Sequence, residues 1–318
     1  MRNQQEITTI IDDYIQRGLF PGVEYAILEG AKVSHFIEGN ASIQPTKVPL
    51  TSGKKWDLAS VTKVVGTGTA IIDLVFAGKL ELDRPLQKYY PEFTDSTVSI
   101  RQLLTHTSGI NPYIPHRNEL TKEELISAIN HIEVTPDKQF NYTDINFILL
   151  GFLLEKLYGK NLADIFKEQI FEPRKMLNTS FGPVTNAVPT SLATPKGTVH
   201  DPKARILGED CGAAGLFSTL DDLAAFAQMY FEEKKYLKLL KNYAFGEKSR
   251  SLAWDLPTSD HDWLLHTGYT GTFLLINPRK KKAVIFLSNR VHLKDERLEW
   301  IKARDILIHF LITQLTDD

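Results

Sequence analysis

Across 318 residues, 37 Lys and Arg stand against 39 Asp and Glu for a formal charge of -2. That balance argues against nucleic acid or an anionic membrane as the main partner, and the length allows a large core. The single cysteine, Cys211, excludes an intrachain disulfide, so the fold does not depend on an oxidising compartment. The opening MRNQQEITTI has no apolar signal-type stretch, and no apolar run reads as long enough to cross a bilayer, so the expectation is a soluble cytoplasmic protein.

In chain order, residues 4–18 read as a short amphipathic helix, with Ile7, Ile10, Ile11 and Tyr14 on one side and Gly18 as its stop. Residues 22–29 and 33–38 follow as two strands joined by a turn at Gly30. A polar loop, 44–55, leads into DLASVTKVVGTGTAIIDLVFAGKL at 57–80, which reads as one helix apolar on nearly every side and therefore interior. Gly66, Gly68 and the many β-branched residues make it a poor helix in isolation, so packing must hold it against nearby backbone. Short helices are predicted within 99–110 and over 123–131, 145–158, 162–171 and 220–231, Gly159 stopping the third and Pro173 the fourth. The interval 179–215, rich in Gly, Pro, Ser and Thr, reads as a long surface loop. Residues 263–266, 272–276 and 283–288 read as strands, with a charged turn between the last two, and 294–315 as a closing amphipathic helix. Strands near both termini with helices between them predict an α/β (α+β) fold. Its antiparallel sheet is built by residues 1–58 and 250–318, and a mainly helical region spans 59–249; the cleft between them is where the family resemblance given below implies an active site.

Three short stretches carry possible chemistry. Ser60 and Lys63, three apart at the start of the apolar helix, share one face and place a hydroxyl beside an amine at the positive end of a helix dipole. Ser52 and Lys55 repeat the spacing, but in a polar loop that fixes neither side chain. On its own, Ser60 reads equally well as a helix cap. In Tyr142-Thr143-Asp144, either Thr143 or Asp144 suits the cap of the following helix, and Tyr142 offers a phenol whose proton can move if it lies near Lys63. His266-Thr267-Gly268, followed by Tyr269, ends a strand with a glycine that leaves room for substrate and a backbone N–H beyond it suited to an oxyanion.

Taken together, in this order, the three resemble the motifs of the serine β-lactamase and penicillin-binding-protein superfamily, most nearly its class C β-lactamase-related branch of D-Ala-D-Ala carboxypeptidases and esterases. IRQLLTHTSGI at 100–110, FILLGFLLEKLYG at 147–159, VHDPKARILG at 199–208 and GLFSTLDDLA at 215–224 also resemble segments of that family, so the resemblance covers almost the whole chain. It implies a serine hydrolase working through an acyl-Ser60 intermediate on a small ester, amide or D-amino-acid peptide. Lys63 and Tyr142 would share the proton transfers, and the backbone N–H groups of Ser60 and Tyr269 would form the oxyanion hole. His266 and Thr267 would hold the polar end of the substrate.

Several positions depart from the family pattern: Gly212-Ala213-Ala214-Gly215 stands where relatives have GHAG, Pro173-Arg174-Lys175-Met176 stands where they have Pro-Leu-Gly-Met, and two further departures touch the motifs themselves. Asp144 stands where Asn is usual, and a carboxylate beside Lys63 favours the ammonium and shifts the work of the base to Tyr142. His266 replaces the usual Lys, and a neutral imidazole holds an anion less firmly, which makes strong β-lactamase activity a weaker expectation than esterase or peptidase activity. His106 and Ser108 are expected to be structural, and Cys211 packed. The nine histidines lack ligand spacing, so no metal is expected and no cofactor is implied. The expected partner is a small molecule with a reactive carbonyl, its identity set by the loops 111–120, 179–212 and 240–262; oligomeric state is left open. The rival reading is a non-catalytic penicillin-binding or sensing protein with the same fold.

Overall fold

The computed structural model describes residues 4–316. The first three residues of the opening stretch, and residues 317–318 at the end of the sheet-forming region, lie outside it. The elements run α1 (Gln4–Gln16), β1 (Gly22–Glu29), β2 (Lys32–Ser42), β3 (Val48–Pro49), β4 (Trp56–Asp57), α2 (Thr69–Phe76), α3 (Ile100–Thr105), α4 (Lys122–Asn130), α5 (Ile145–Tyr158), α6 (Leu162–Phe166), β5 (Ser180–Phe181), α7 (Pro202–Leu207), β6 (Leu216–Ser218), α8 (Leu220–Glu232), β7 (Leu264–Thr267), β8 (Phe273–Asn277), β9 (Lys282–Ser288) and α9 (Arg297–Thr316).

Six strands from the two ends of the chain form one antiparallel sheet in the order β3-β2-β1-β9-β8-β7, and β4-β6-β5 form a second, small one. β1 is buried on both faces because its side chains alternate between two cores. Val23, Tyr25 and Ile27 face α1 and α9, while Ala26 and Leu28 face the helices of the middle region. Tyr14 fastens α1 to α9 by donating to the Ala303 carbonyl at 2.7 Å. α5 runs through the larger core with every residue from Ile145 to Leu154 buried, as its unbroken apolar sequence requires.

The apolar stretch after Asp57 is not one α-helix. It begins as a 3₁₀ turn at Ala59–Val61, widens to a π turn at Lys63–Gly68 and only then becomes α2. A Cβ on Gly66 would stand 2.5 Å from the Phe166 ring, and one on Gly68 2.6 Å from the Lys63 carbonyl. The widened turn is held by the Thr69 hydroxyl, which donates to the Val64 carbonyl at 2.6 Å. The 18 residues Ala59–Phe76 are, contrary to the sequence expectation, long and apolar enough to cross a membrane, and 78% of them lie inside the fold, where they form its core. The interval 179–215 also holds more structure than the expected loop. It contains β5 and α7, the latter started by Asp201, whose carboxylate accepts from the Ala204 N–H at 2.9 Å, with Pro202 in the first turn.

Candidate active site

Ser60 sits on the 3₁₀ turn, and its hydroxyl caps nothing. It accepts a hydrogen bond of 2.9 Å from Lys63 Nζ. The turn is held from three sides. Asp57 Oδ1 accepts from the Ala59 N–H at 2.9 Å, while the Thr270 and Thr272 hydroxyls donate to the carbonyls of Asp57 and Leu58 at 2.8 and 3.1 Å. Ala59 is forced to φ +45°, an uncommon conformation for a residue with a Cβ. Gly268 explains how the end of β7 reaches this turn, because a Cβ there would lie 2.1 Å from Thr272 Oγ1 and 2.6 Å from the Leu58 carbonyl. The room that glycine leaves is filled by the Ser60 turn and Thr272, not kept open for substrate.

Lys63 is fully buried, and its three ammonium protons are taken up by Ser60 Oγ, Asp144 Oδ1 at 2.8 Å and the Ala213 carbonyl at 3.0 Å. Burial works against its charge, but Asp144 and the Tyr142 phenol outweigh that and hold its pKa above the ordinary lysine value. Asp144 is likewise opposed by burial, yet it stays well below the usual carboxylate range because two lysines flank it. Its second oxygen meets Lys203 Nζ at 3.0 Å, and Lys203 in turn meets Asp201 Oδ2 at 3.0 Å. Four alternating charges, Lys63, Asp144, Lys203 and Asp201, thus run from beneath the serine to the cleft wall.

Tyr142 is 42% exposed and faces the cleft, with Lys63 Nζ 5.2 Å from its ring centre. The buried His106 ring lies tilted against the Tyr142 ring, the two centres 4.4 Å apart. His106 Nδ1 and Ser108 Oγ contact opposite ends of the Asn146 amide, at 3.0 and 2.7 Å, so these two residues clamp the loop after α3 onto α5 and do not form a Ser–His pair. Burial and the nearby cations of Arg250 and Lys63 push the His106 pKa well down.

Ser60, Tyr142, Asp144 and Tyr269 line one cleft of about 600 Å³, to which residues from the middle of the chain and from its C-terminal part both contribute. His266 does not line it. Its ring is 3% exposed, lies edge-on to Trp254 and, among the described residues, has neither nitrogen hydrogen-bonded, and its pKa is pushed down to about 3 by burial, then by Lys63 and Arg250. The expectation that His266 meets the substrate at the cleft surface is therefore corrected. The ring lies in the interior against Trp254 as a neutral group, with the Arg250 and Lys63 charges acting against its protonation. Thr267 also lies outside the cleft lining, and its hydroxyl accepts from Arg304 Nη1 of α9 at 3.3 Å. Tyr269, 39% exposed, stacks on His200 at 5.8 Å and donates its hydroxyl proton to Asp295, while its carbonyl accepts from Arg290 Nε at 2.7 Å. Among the described residues its backbone N–H has no protein acceptor.

The sequence matches the Beta-lactamase family over residues 7–308. The chain belongs to that family. A "Putative D-alanyl-D-alanine carboxypeptidase" of Escherichia coli K12 is 28% identical, the match covering 78% of this chain and 71% of the relative. Among solved structures, EstCE1, described as a hydrolase with promiscuous acyltransferase activity, superposes with a TM-score of 0.77 at 18% identity, over 96% of this chain and 97% of the other. A class C β-lactamase superposes with a TM-score of 0.76 at 20% identity, over 96% and 95%. At these identities the superpositions establish the β-lactamase and penicillin-binding-protein fold.

Sequence reasoning missed the family chain's outer charges. Lys203 and Asp201 fall in VHDPKARILG, a stretch noticed only as a family-like segment. The Asp-Pro pair that opens α7 was the signal, because it fixes a short helix whose next residue, Lys203, turns into the cleft. Asp57 was also missed. Its buried carboxylate, raised to about 6 by burial against the Ala59 and His200 N–H bonds, ties the serine turn to that same wall.

Proposed function

We propose that this chain is a serine hydrolase that acts through an acyl-Ser60 intermediate on a small ester, amide or D-amino-acid peptide. The observation that carries the reading is the 2.9 Å contact between Ser60 Oγ and Lys63 Nζ at the head of a buried charge chain, beside an open cleft. A fully buried amine is placed to do chemistry only at the one hydroxyl it reaches. The names of the relatives, carboxypeptidase, esterase-type hydrolase and class C β-lactamase, share acyl transfer and supply the reaction class.

In the resting arrangement Lys63 is an ammonium held by Asp144, so it cannot accept the Ser60 proton. Its part is to donate to Oγ and stabilise the oxygen as it gains negative charge. Tyr142 Oη, in the cleft beside that ammonium, is the group left to take the proton as Oγ bonds to the carbonyl carbon, which requires it to enter the step as the phenolate, its own proton having passed to solvent. It then delivers the proton to the leaving oxygen or nitrogen as that bond breaks. The N–H groups of Ser60 and Tyr269 would receive the carbonyl oxygen as it becomes an oxyanion. Water, activated by the same phenol, would release the acyl group and return Ser60.

The test is turnover of a chromogenic short-chain ester, a chromogenic cephalosporin and a fluorescent penicillin by the wild-type protein and by Ser60→Ala. Turnover of at least one, lost in the variant, is the expected result. Equal turnover in both would remove Ser60 from the mechanism. Labelling of Ser60 without turnover would move the chain to a binding or sensing role.

A further inference from the structure

Asp144 stands at the head of α5, yet its carboxylate caps no N–H there, and among the described residues no backbone group donates to it. Its orientation is set by two ammoniums, Lys63 on Oδ1 at 2.8 Å and Lys203 on Oδ2 at 3.0 Å. Lys203 is itself fixed from behind. It lines the cleft but is only 7% exposed, and Asp201 Oδ2 holds it at 3.0 Å while Oδ1 of the same carboxylate accepts the Ala204 N–H that starts α7. Burial opposes the Lys203 charge, but Asp144 and Asp201 outweigh it and keep its pKa above the ordinary lysine value. The start of α7 therefore reaches, through successive ion pairs, the amine that touches Ser60 Oγ.

From this geometry we infer that Lys203 is a positioning residue for the reaction at Ser60, holding Asp144 by its second oxygen and balancing its charge so that Lys63 keeps a proton for Ser60 Oγ. The inference rests on the acyl-Ser60 reading and adds a residue to it. Two effects converge on Lys203. Once released by Lys203, Oδ2 is free to turn toward Lys63 and draw a second proton from it. Lys63 has three to give, and the one on the Ala213 carbonyl is held by backbone, so the contact surrendered is the one to Oγ. The second effect is electrostatic. The two ammoniums and two carboxylates of the chain cancel, and without Lys203 a negative charge is left over beside an oxygen that must itself become negative. Asn, the residue usual at position 144 in the resembling family, carries no charge to balance, so the need for Lys203 comes with the carboxylate.

The experiment is a double-substitution cycle of Lys203→Met and Asp144→Asn in the full chain. It is read by the rate at which an alkyl fluorophosphonate labels Ser60, by kcat and KM for p-nitrophenyl acetate, and by the NMR resonance of Lys63 Cε, assigned by its loss in Lys63→Arg. Lys203→Met alone is expected to slow labelling and kcat about tenfold or more, with KM unchanged to within about twofold, and to move the Lys63 resonance. In the Asp144→Asn background the same substitution should alter the rates by less than about twofold and leave the resonance in place, because the group it acts through is gone. A loss confined to KM would make Lys203 a substrate contact, and equal losses in both backgrounds would make it a support of α7; either overturns the inference. If wild-type Ser60 is neither labelled nor acylated, the acyl-Ser60 reading fails and the resonance alone decides. Moved by Lys203→Met only when Asp144 is present, it upholds the positioning role; unmoved, or moved equally in both backgrounds, it rejects it. Lys203→Gln replaces Lys203→Met if the latter does not fold. If Asp144→Asn does not fold, Lys203→Arg takes its place: the retained charge should keep labelling within about threefold of wild type, and a loss as large as that of Lys203→Met overturns the inference.

Discussion

Asp144 holds two buried lysines at once, so its removal has a sign that can be worked out in advance. In Asp144→Asn, Lys63 keeps its burial and loses its counter-ion, so its pKa in the folded protein should drop below the unfolded value. The unfolded chain then binds the extra proton. Stability should be lowest at neutral and lower pH, by about 3–5 kcal/mol relative to wild type, and recover as pH rises. Denaturant unfolding across pH 6 to 10, with the Lys63 side chain followed by NMR, measures both; a Lys63 titration unmoved by the substitution would show that Asp144 does not hold its charge. Gly268→Ala tests the other support of the serine. The new Cβ meets Thr272 Oγ1 and the Leu58 backbone, so the end of β7 must move off the Ser60 turn. Overpacking of this kind costs about 1–3 kcal/mol, and the acylation rate of the folded protein should fall at least tenfold. Unchanged acylation in a stably folded variant would mean that the turn is positioned without β7. Both residues were visible in the sequence as motif positions, because Asp144 and Gly268 stand in short stretches, with Tyr142 and with His266, whose order is informative. The burial of His266 was not visible, since the ring it packs against is Trp254, a residue with no pattern linking it to the motif.

At the scale of elements, the sequence announced those with a repeating apolar pattern and hid those made by contact. α5 and the paired strands β1, β8 and β9 were legible from apolar runs and turn residues, and α8 from its 3.6-residue period. The succession of 3₁₀, π and α turns after Asp57 was not, because the glycines that permit it signal only that something comes close, and Phe166 and Ala253 are what does. The joint between α4, α5 and the turn after α7 gives a pH prediction. Glu155 of α5 lies against Asp210, and burial, followed by that like charge, raises its pKa to about 8 from the ordinary 4.5. The folded state therefore prefers the neutral acid. Its contribution is fully present below the unfolded pKa of 4.5 and is lost as pH rises through about 8. Glu155→Gln keeps the acceptor for the Leu162 N–H, 3.2 Å away, and carries no charge to expel. Its melting temperature relative to wild type should rise by several degrees between pH 6 and pH 9. A constant difference across that range would mean that Glu155 is not protonated in the native protein.

For the whole molecule, the sheet separates two cores with different tasks. The larger one, toward the helices, lies around the buried Lys63 and His106, whereas the smaller one joins α1 and α9 to the opposite face. Trp300 of α9 is 3% exposed in that smaller core, lies along Phe286 with ring centres 6.2 Å apart and meets Phe20 edge-on at 5.8 Å. It touches nothing in the cleft; the intervening strands β1, β8 and β9 are paired along their whole length. Trp300→Ala should therefore cost about 3–5 kcal/mol of stability through the cavity it leaves. Because the hydrogen bonds that hold the Ser60 turn come from Asp57, Thr270 and Thr272 and not from α9, the folded fraction should acylate at the wild-type rate. Denaturant unfolding beside burst kinetics normalised to active sites separates the two effects. Should acylation fall in step with stability under conditions where the variant is fully folded, the sheet transmits packing on its outer face to the cleft, and the two cores act as one.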